Sequence, residues 1–223
     1  MRFPVRAVSV IGCLLACLSV LSAAPAFAQA EGTDYRVLAP AQPTQSPGKI
    51  EVLEFFSYAC PHCAEFAPIL GTWKATLGKD VVFRKVPVGF DRPPWINMQR
   101  AYYALLATGD LERLDARLFV AIHEQHLPLF QEQALFDWVG KNGGNAEKFA
   151  AAYTSFGINN QTVQADKMAE DFQITGVPTM AVDGRYAALG DSFTELLANT
   201  DKLIAKVRAE RAAALAGAGA KKK

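Results

Sequence analysis

The sequence predicts an α/β fold whose two halves are separated by an all-helical domain, and three observations lead to this prediction. A nearly unbroken apolar run, Ile50–Phe56, is typical of a strand covered on both faces of a sheet. Stretches with apolar residues at helical spacing fill the middle of the chain, from Trp95 to Phe172. Asp183 and Gly184 then lie between two apolar runs, which indicates a β-hairpin.

The first half of the α/β part is predicted to contain a strand, a helix and a second strand. The helix starts at Pro61, because apolar residues recur at helical spacing from there and proline suits the first helical turn. Pro68 lies inside this helix and predicts a kink. Val81–Val88 has the composition of the second strand, and the proline-rich residues 91–94 end it.

The middle and the end of the chain complete the order of elements. Gly109, Gly143 and Gly157 are predicted to end helices, as glycine commonly does. Ser192 and Glu195 form a capping-box pattern that starts a last helix after the hairpin. The order is therefore strand, helix, strand, several helices, hairpin and helix. Five helical stretches are predicted in the middle: 95–108, 111–126, 133–144, 146–157 and 161–172.

Residues 1–28 are predicted to be a cleavable signal peptide. Arg2 and Arg6 provide a charged start, and the apolar run Val8–Leu21 follows. Ala26–Ala28 has the small-x-small pattern that a signal peptidase cuts, so the mature chain is expected to begin directly after it. A membrane anchor is excluded, because the run is shorter than the ~20 residues of a spanning helix. A lipoprotein signal at Cys17 is the alternative, but the apolar run continues past that residue.

The cysteines that remain after cleavage limit the kinds of function that the protein can have. The signal peptide takes Cys13 and Cys17 with it and leaves the pair Cys60 and Cys63. A disulfide that closes so short a loop removes little entropy from the unfolded chain, so it is a poor structural staple. A structural zinc site needs four ligands, and only three histidines complement the pair: His62, His123 and His126. A redox-active pair is therefore the favoured interpretation.

The position of the pair predicts its reactivity. Cys60 lies where a strand ends and a helix begins, so the first-turn amides and the helix dipole favour a thiolate and lower its pKa. His62 adds a hydrogen-bond donor and, when protonated, a positive charge. A thiol with a low pKa is the better leaving group from a mixed disulfide. The pair is therefore predicted to act as an oxidant of other thiols.

Two segments, EFFSYACPHC and TGVPTMAVDGRY, together resemble the DsbA-type periplasmic thiol:disulfide oxidoreductases of the thioredoxin superfamily. The resemblance covers nearly all of the mature chain, and C-P-H-C after a buried strand with V-P before a hairpin is a specific combination. It implies that Cys60 is the attacking and leaving thiol and that Cys63 is its buried partner, with Pro61 and His62 between them. It also implies that Val177–Pro178 is a cis-proline turn that faces the cysteines.

The resemblance also implies the organisation of the chain, a thioredoxin fold with an all-helical domain inserted between its two halves. Residues 29–90 and 173–223 would form the thioredoxin-like domain, and residues 91–172 the inserted helical domain. The loop Pro40–Gly48 departs from the family pattern, because it is longer and richer in proline. This departure affects the register of the amino-terminal strand rather than the chemistry.

Glu54 and Lys85 are the charged residues that the sequence connects with the site. Strand alternation places Glu54 on the same face as Val52, where a carboxylate needs a partner. Lys85 shares a face with Phe83 of the neighbouring strand and is the candidate partner. In thioredoxin-like folds a buried acid and a lysine lie beneath the active site, which implies that this pair assists proton transfer at Cys63. An edge-exposed pair stays open as the alternative, because alternation fixes neither burial nor pairing.

The function that the resemblance implies is the oxidation of paired thiols in reduced exported proteins in the periplasm. The Cys60–Cys63 disulfide would oxidise the client without any further cofactor. A DsbB-type quinone-linked membrane oxidase would restore this disulfide. The protein would be a monomer. The net charge of +1 offers no basic surface for nucleic acid. Three alternatives stay open: a disulfide isomerase or reductase of the same superfamily, a periplasmic metal carrier that uses Cys60, His62 and Cys63, and an inert interaction protein. Isomerases resembling DsbC usually carry a separate dimerisation domain, which this chain lacks.

Overall fold

The computed structural model describes residues 29–220 of the chain. The predicted signal peptide and the alternative lipoprotein site at Cys17 lie outside the described residues. Between residues 29 and 220, none of the helices combines the length and the apolar character needed to cross a bilayer. The strands are β1 (Tyr35–Val37), β2 (Ile50–Phe56), β3 (Val81–Pro87), β4 (Thr179–Val182) and β5 (Tyr186–Ala188). The helices are α1 (Pro61–Lys74), α2 (Pro93–Thr108), α3 (Leu111–His123), α4 (Glu132–Lys141), α5 (Ala146–Tyr153), α6 (Phe156–Asp171) and α7 (Phe193–Ala220).

The strands form one mixed sheet in the order β1-β5-β4-β2-β3. β2 runs parallel to β3 and antiparallel to β4, and β1 and β5 extend the sheet by antiparallel pairing. Every residue of β2 is buried, because the strand has neighbours on both edges and helices on both faces. The predicted strand Ile50–Phe56 and the predicted α/β fold class are therefore confirmed.

Helices cover both faces of the sheet. On one face Val52 and Met180 pack with Phe66 of α1 and Leu203 of α7. On the other face Phe55 packs against Phe172, which directly follows α6, with ring centroids 5.2 Å apart. The alternation of side chains along β2 thus divides the apolar residues of this strand between two cores.

The helices α2, α3, α4 and α5, called the helical block below, pack around the segment that follows β2. Their apolar side chains form one cluster with Phe56, Tyr58 and the two cysteines, Cys60 and Cys63. Phe119 of α3 lies 4.8 Å from the ring of Tyr58. The helical block therefore forms part of the wall around the cysteine pair.

Several predicted helix boundaries are wrong, including the start of α6 and the end of α4. The sequence predicts a helix that continues to His126, whereas α3 ends at His123 and His126 has a positive φ of 52°. Gly157 is predicted as a cap but lies in the first turn of α6, because Ser155 caps this helix by accepting the Ile158 N–H at 3.2 Å. Short polar side chains compete with glycine as boundary signals, and here the serine decides the boundary.

The hairpin is confirmed, and it supports the long loop before β2. Asp183 and Gly184 both have positive φ values, 57° and 64°, as a tight hairpin turn requires. A Cβ on Gly184 would lie 2.0 Å from the Gln42 carbonyl oxygen, so glycine is needed here for close approach as well. The Gln42 N–H in turn donates to the Gly184 carbonyl at 2.7 Å. The proline-rich loop Pro40–Gly48 is therefore anchored on the hairpin, and its cis bond between Ala39 and Pro40 is a feature that the sequence analysis missed.

Candidate active site

The two cysteines lie at the start of α1, directly after β2. Cys60 is the N-cap, with extended backbone angles of φ −95° and ψ 119°, and Pro61 is the first helical residue. Proline suits this position because its missing N–H would have had no partner inside the helix. Both cysteines are free thiols, so this is the reduced state of the pair.

The two thiols differ in exposure and in neighbours. Cys60 is 6% exposed, whereas Cys63 is completely buried one turn inside the helix. Cys60 Sγ lies 3.5 Å from the Val177 carbonyl oxygen and donates to it when the thiol is protonated. The peptide bond Val177–Pro178 is cis, as the sequence analysis expects. The structure therefore brings the C-P-H-C segment and the proline turn together, although more than a hundred residues separate them in the chain.

Hydrogen bonds separate the acidities of the two thiols. The Cys63 thiol donates to the Cys60 thiolate and, against the opposing effect of burial, this bond lowers the pKa of Cys60 to about 6. The N–H groups of Cys63 and His62 and the positive charge of His62 lower that pKa further. Burial raises the pKa of Cys63 far above its ordinary value, and the hydrogen bond to Cys60 adds to this effect. At neutral pH the pair is therefore a Cys60 thiolate beside a Cys63 thiol.

His62 is exposed at the surface of the site. Its ring Nδ1 lies 3.4 Å from the Glu65 carboxylate, one turn along α1. It acts on Cys60 through its backbone N–H and its charge, both of which favour the thiolate. These contributions are smaller than the hydrogen bond from Cys63, so His62 is the lesser of the two influences on Cys60.

Glu54 and Lys85 are directly opposite each other in the parallel pairing of β2 and β3. Glu54 is completely buried, and its Oε2 lies 3.7 Å from Lys85 Nζ. Among the described residues, neither carboxylate oxygen of Glu54 has a hydrogen-bond partner. Burial raises the pKa of Glu54 to about 7, against the opposing effect of the Lys85 charge. Glu54 can therefore hold or release a proton near neutral pH.

Asp115 and Tyr58 were not predicted as residues of this region, and His123 was considered only as a metal ligand. Asp115 of α3 accepts hydrogen bonds from Lys85 Nζ at 3.0 and 3.2 Å and from the Tyr58 hydroxyl. His123 Nε2 donates to the Tyr58 carbonyl at 2.7 Å, two residues before Cys60. A signal for Asp115 exists in the sequence, because it lies at helical spacing from Leu118 and Phe119 and so interrupts the apolar face of α3.

The histidines considered as metal ligands are not brought together. His123 donates a hydrogen bond to the Tyr58 carbonyl, and His126 lies outside α3 with its side chain exposed. Within residues 29–220 no group of three or more histidine, cysteine, aspartate or glutamate side chains has an arrangement suited to a metal ion. His123 and His126 therefore do not share a helix face.

A thioredoxin-type sheet with C-x-x-C at a helix start and a cis-proline beside it defines a thiol:disulfide oxidoreductase. The family model described as DSBA-like thioredoxin domain matches residues 51–200. The chain belongs to this DsbA-like family of thioredoxin-fold oxidoreductases.

Individual relatives agree with the family assignment. The chain is 38% identical to the thiol:disulfide interchange protein DsbA of Burkholderia cepacia, over 82% of this chain and 85% of the relative. It is also 38% identical to DsbA of Pseudomonas aeruginosa strain PAO1, over 80% of this chain and 85% of that protein. A crystal structure of Pseudomonas aeruginosa DsbA superposes with a TM-score of 0.77 at 36% identity, covering 81% of this chain and 95% of the other. The oxidoreductase DsbA from Xylella fastidiosa gives a TM-score of 0.77 at 34% identity, covering 81% and 98%.

Proposed function

We propose that this protein oxidises paired thiols in exported proteins by donating a disulfide between Cys60 and Cys63. The observation that carries this proposal is the stabilised thiolate of Cys60, whose pKa is lowered to about 6. A stabilised thiolate leaves readily from a mixed disulfide, so electrons flow from the client to this pair. The relatives named thiol:disulfide interchange protein support the same class of reaction.

The proposed reaction has two exchange steps. A client thiolate attacks Cys60 Sγ, the bond to Cys63 breaks, and its electron pair goes to Cys63 Sγ, which takes up a proton. The second client thiolate then attacks the client sulfur of the mixed disulfide, and Cys60 leaves as a thiolate. The client loses two electrons and gains a disulfide, and the cysteine pair gains those two electrons. A quinone-linked membrane oxidase of the DsbB type would accept them and restore the disulfide.

Glu54 is proposed to exchange the proton of Cys63. The Cys63 thiolate that forms in the first step is buried, and burial strongly favours its protonated form. The charge of Glu54 acts on Cys63 in the same direction, and the pKa of Glu54 near 7 lets this carboxyl supply or accept the proton. Lys85 supports the charged form of Glu54 during this exchange.

The turn at Val177–Pro178 is proposed to dock the client backbone. When Cys60 is protonated, its thiol donates to the Val177 carbonyl. In a mixed disulfide Cys60 has no proton to donate, so this carbonyl becomes available to an N–H group of the client. An extended client segment would then pair with the turn as an added strand, with its cysteine held at Cys60.

The organisation and the compartment are part of the same proposal. Residues 29–90 and 173–223 would act as the thioredoxin-like domain and residues 91–172 as the inserted helical domain of a periplasmic monomer. Cleavage after Ala28 is expected, which removes Cys13 and Cys17 and leaves one cysteine pair. The intact mass of the exported protein checks this expectation, and a lipid-modified Cys17 would contradict it.

Two assays and one analysis test the proposed function. Purified oxidised protein is expected to oxidise dithiothreitol rapidly and to catalyse insulin reduction poorly, because the stabilised Cys60 thiolate favours the reduced form of the pair. Metal analysis of the same preparation tests the metal carrier. Efficient insulin reduction would indicate a reductase or isomerase, stoichiometric metal would indicate the carrier, and no turnover would indicate an inert protein. Equilibration with glutathione then measures the reduction potential of the pair.

Replacing Glu54 with glutamine is expected to slow thiol exchange about tenfold, the equivalent of about 1.4 kcal/mol in the barrier. Glutamine keeps the shape of the side chain but cannot hold and release a proton for Cys63. The pH dependence of the exchange rate should also flatten around neutral pH, where Glu54 changes protonation. Stopped-flow measurements of dithiothreitol oxidation across this pH range record both effects.

Glu51→Gln is the matched control for this variant. Glu51 is also buried in β2, but it pairs with Arg84 at 3.2 Å on the opposite face of the sheet. Its replacement is expected to lower the free energy of unfolding and to leave the pH profile of exchange unchanged. Equal pH profiles for Glu54→Gln and the unsubstituted protein would exclude Glu54 from proton exchange.

A further inference from the structure

The Lys85 ammonium group lies between two carboxylates and contacts them unequally. Its Nζ lies 3.0 and 3.2 Å from the two oxygens of Asp115, but 3.7 Å from the nearer oxygen of Glu54. Hydrogen bonds from N–H groups to oxygen are about 2.7–3.2 Å long, a range that includes both Asp115 distances and excludes the Glu54 distance. Asp115 therefore takes the hydrogen bonds of Lys85, and Glu54 keeps only the attraction of the nearby charge.

We propose that Asp115 is a positioning residue for thiol exchange: by holding Lys85, it keeps the Glu54 carboxyl free to exchange a proton with Cys63. The inference rests on the proposed function, because it concerns the proton of the same cysteine. The sequence predicts only the pair of strand residues, Glu54 and Lys85. The proposal adds Asp115 of α3, a helix of the inserted segment.

The exposure of Asp115 and two contacts explain why Lys85 favours Asp115. Asp115 is 28% exposed and lines a cavity of about 810 Å³, so its carboxylate keeps some contact with solvent, whereas Glu54 has none. The Tyr58 hydroxyl also donates to the Asp115 carboxylate and helps to hold it in place. Lys85 Nζ also lies 4.0 Å from the centroid of the Phe56 ring, which stabilises the cation in this position. An ion pair with a partly hydrated carboxylate has a smaller desolvation cost than one with a fully buried carboxylate.

The charges around Glu54 agree with this division. After burial, which raises the pKa of Glu54, Lys85 lowers it and the charge of Asp115 raises it. Burial alone would lower the pKa of Lys85, but the two carboxylates outweigh it and raise that pKa. The titratable and charged groups that face Glu54 are Lys85 from β3, Asp115 from α3, Cys63 and Lys74 from α1, Tyr102 from α2, and Tyr58 from the segment after β2.

The test measures the pH at which Glu54 is half protonated, called the midpoint below, in the variant Asp115→Asn. Carbon NMR of the carboxyl groups in the reduced protein gives this value. Asparagine keeps the size of the side chain and an acceptor for Tyr58, but it removes the charge that holds Lys85. Lys85 should then move to Glu54, and the midpoint should fall by about 1 unit, as a new close opposite charge causes. The pH profile of dithiothreitol oxidation should shift to lower pH by the same amount.

Glu112→Gln is the matched control, because Glu112 lies on the same helix and lines the same cavity. It is expected to leave the midpoint of Glu54 unchanged. Asp115→Ala provides a second route if the asparagine variant does not fold, and it should shift the midpoint in the same direction. An unchanged or raised midpoint in a folded Asp115 variant would overturn the proposal.

The charge of Asp115 also acts on Glu54 directly, so a second pair of variants separates this effect from the effect of holding Lys85. Asp115→Asn is compared with and without the additional substitution Lys85→Met. If Asp115 acts by holding Lys85, the shift caused by Asp115→Asn should shrink to less than half when Lys85→Met is also present. A shift of undiminished size would contradict the positioning role. The NMR titration needs no client, so it decides this inference independently of the dithiothreitol assay, which decides the proposed function.

Discussion

Replacing Cys63 with alanine is expected to trap clients as mixed disulfides with Cys60 and to reduce oxidase activity by at least ~10³-fold. Without the Cys63 thiol the protein cannot form the internal disulfide. The Cys60 thiolate can still attack a client disulfide, which breaks that bond and releases the second client sulfur as a thiolate, but no Cys63 thiolate can then attack Cys60 to release the client. The same substitution removes the hydrogen bond that contributes most to the low pKa of Cys60. The pH midpoint for alkylation of Cys60 should therefore rise above its value of about 6 in the unsubstituted protein.

Cys60→Ala is the matched variant. It should be equally inactive but should trap no client, because the remaining thiol at Cys63 is completely buried and its pKa is raised. Non-reducing electrophoresis of exported proteins detects the trapped complexes, and iodoacetamide labelling across pH measures the midpoint. Trapped complexes with Cys60→Ala instead of Cys63→Ala would reverse the roles assigned to the two residues.

The reduced protein is expected to be more stable than the oxidised protein above about pH 8, contrary to the usual effect of a disulfide. Only the reduced form carries the Cys60 thiolate, and its folded-state pKa of about 6 lies below the value of an unfolded chain. With an unfolded pKa of about 8.5, the gain reaches roughly 3 kcal/mol above that pH and is about 1 kcal/mol at pH 7. These values are upper bounds, because residual solvent contact screens the thiolate.

The sign of the pH dependence follows from the direction of this shift. Because the folded pKa is the lower one, the stabilisation is complete above the unfolded pKa and disappears as the pH falls through about 6. The disulfide offsets at most about 2 kcal/mol, because the loop that it closes is so short. Urea unfolding of both forms from about pH 5 to about pH 9 measures the difference. A difference in unfolding free energy that does not change with pH would contradict a stabilised Cys60 thiolate in the folded protein.

Local sequence patterns predicted the elements that carry the site, because the physical causes are local. The unbroken apolar run of β2, the proline at the start of α1 and the turn at Asp183 and Gly184 each determine their own backbone. The facing positions of Glu54 and Lys85 were also predictable, since alternation gives each residue a face and the two strands are neighbours. Their distance was not predictable, because it depends on a third residue.

That third residue illustrates what the sequence could not supply. Asp115 meets Lys85 only because α3 packs over the end of β2, a contact between residues 30 positions apart. The contact of His123 with the Tyr58 carbonyl spans 65 positions and depends on the same packing. Helical periodicity shows that a residue lies on the packed face, but it does not show which strand that face meets. Charged residues that interrupt an apolar face are the best available signal for such contacts.

The packing of the helical block around Phe56 and Tyr58 limits how modular this protein is. Both rings are completely buried, and both lie in the same cluster as the two cysteines and the block. Cutting the block out of the chain would leave two large aromatic side chains facing water beside the thiols. A shortened, thioredoxin-sized version would therefore be prone to aggregate at its own reactive end. The helical block is therefore part of the core that surrounds the two cysteines, rather than a separate unit attached to the thioredoxin-like domain.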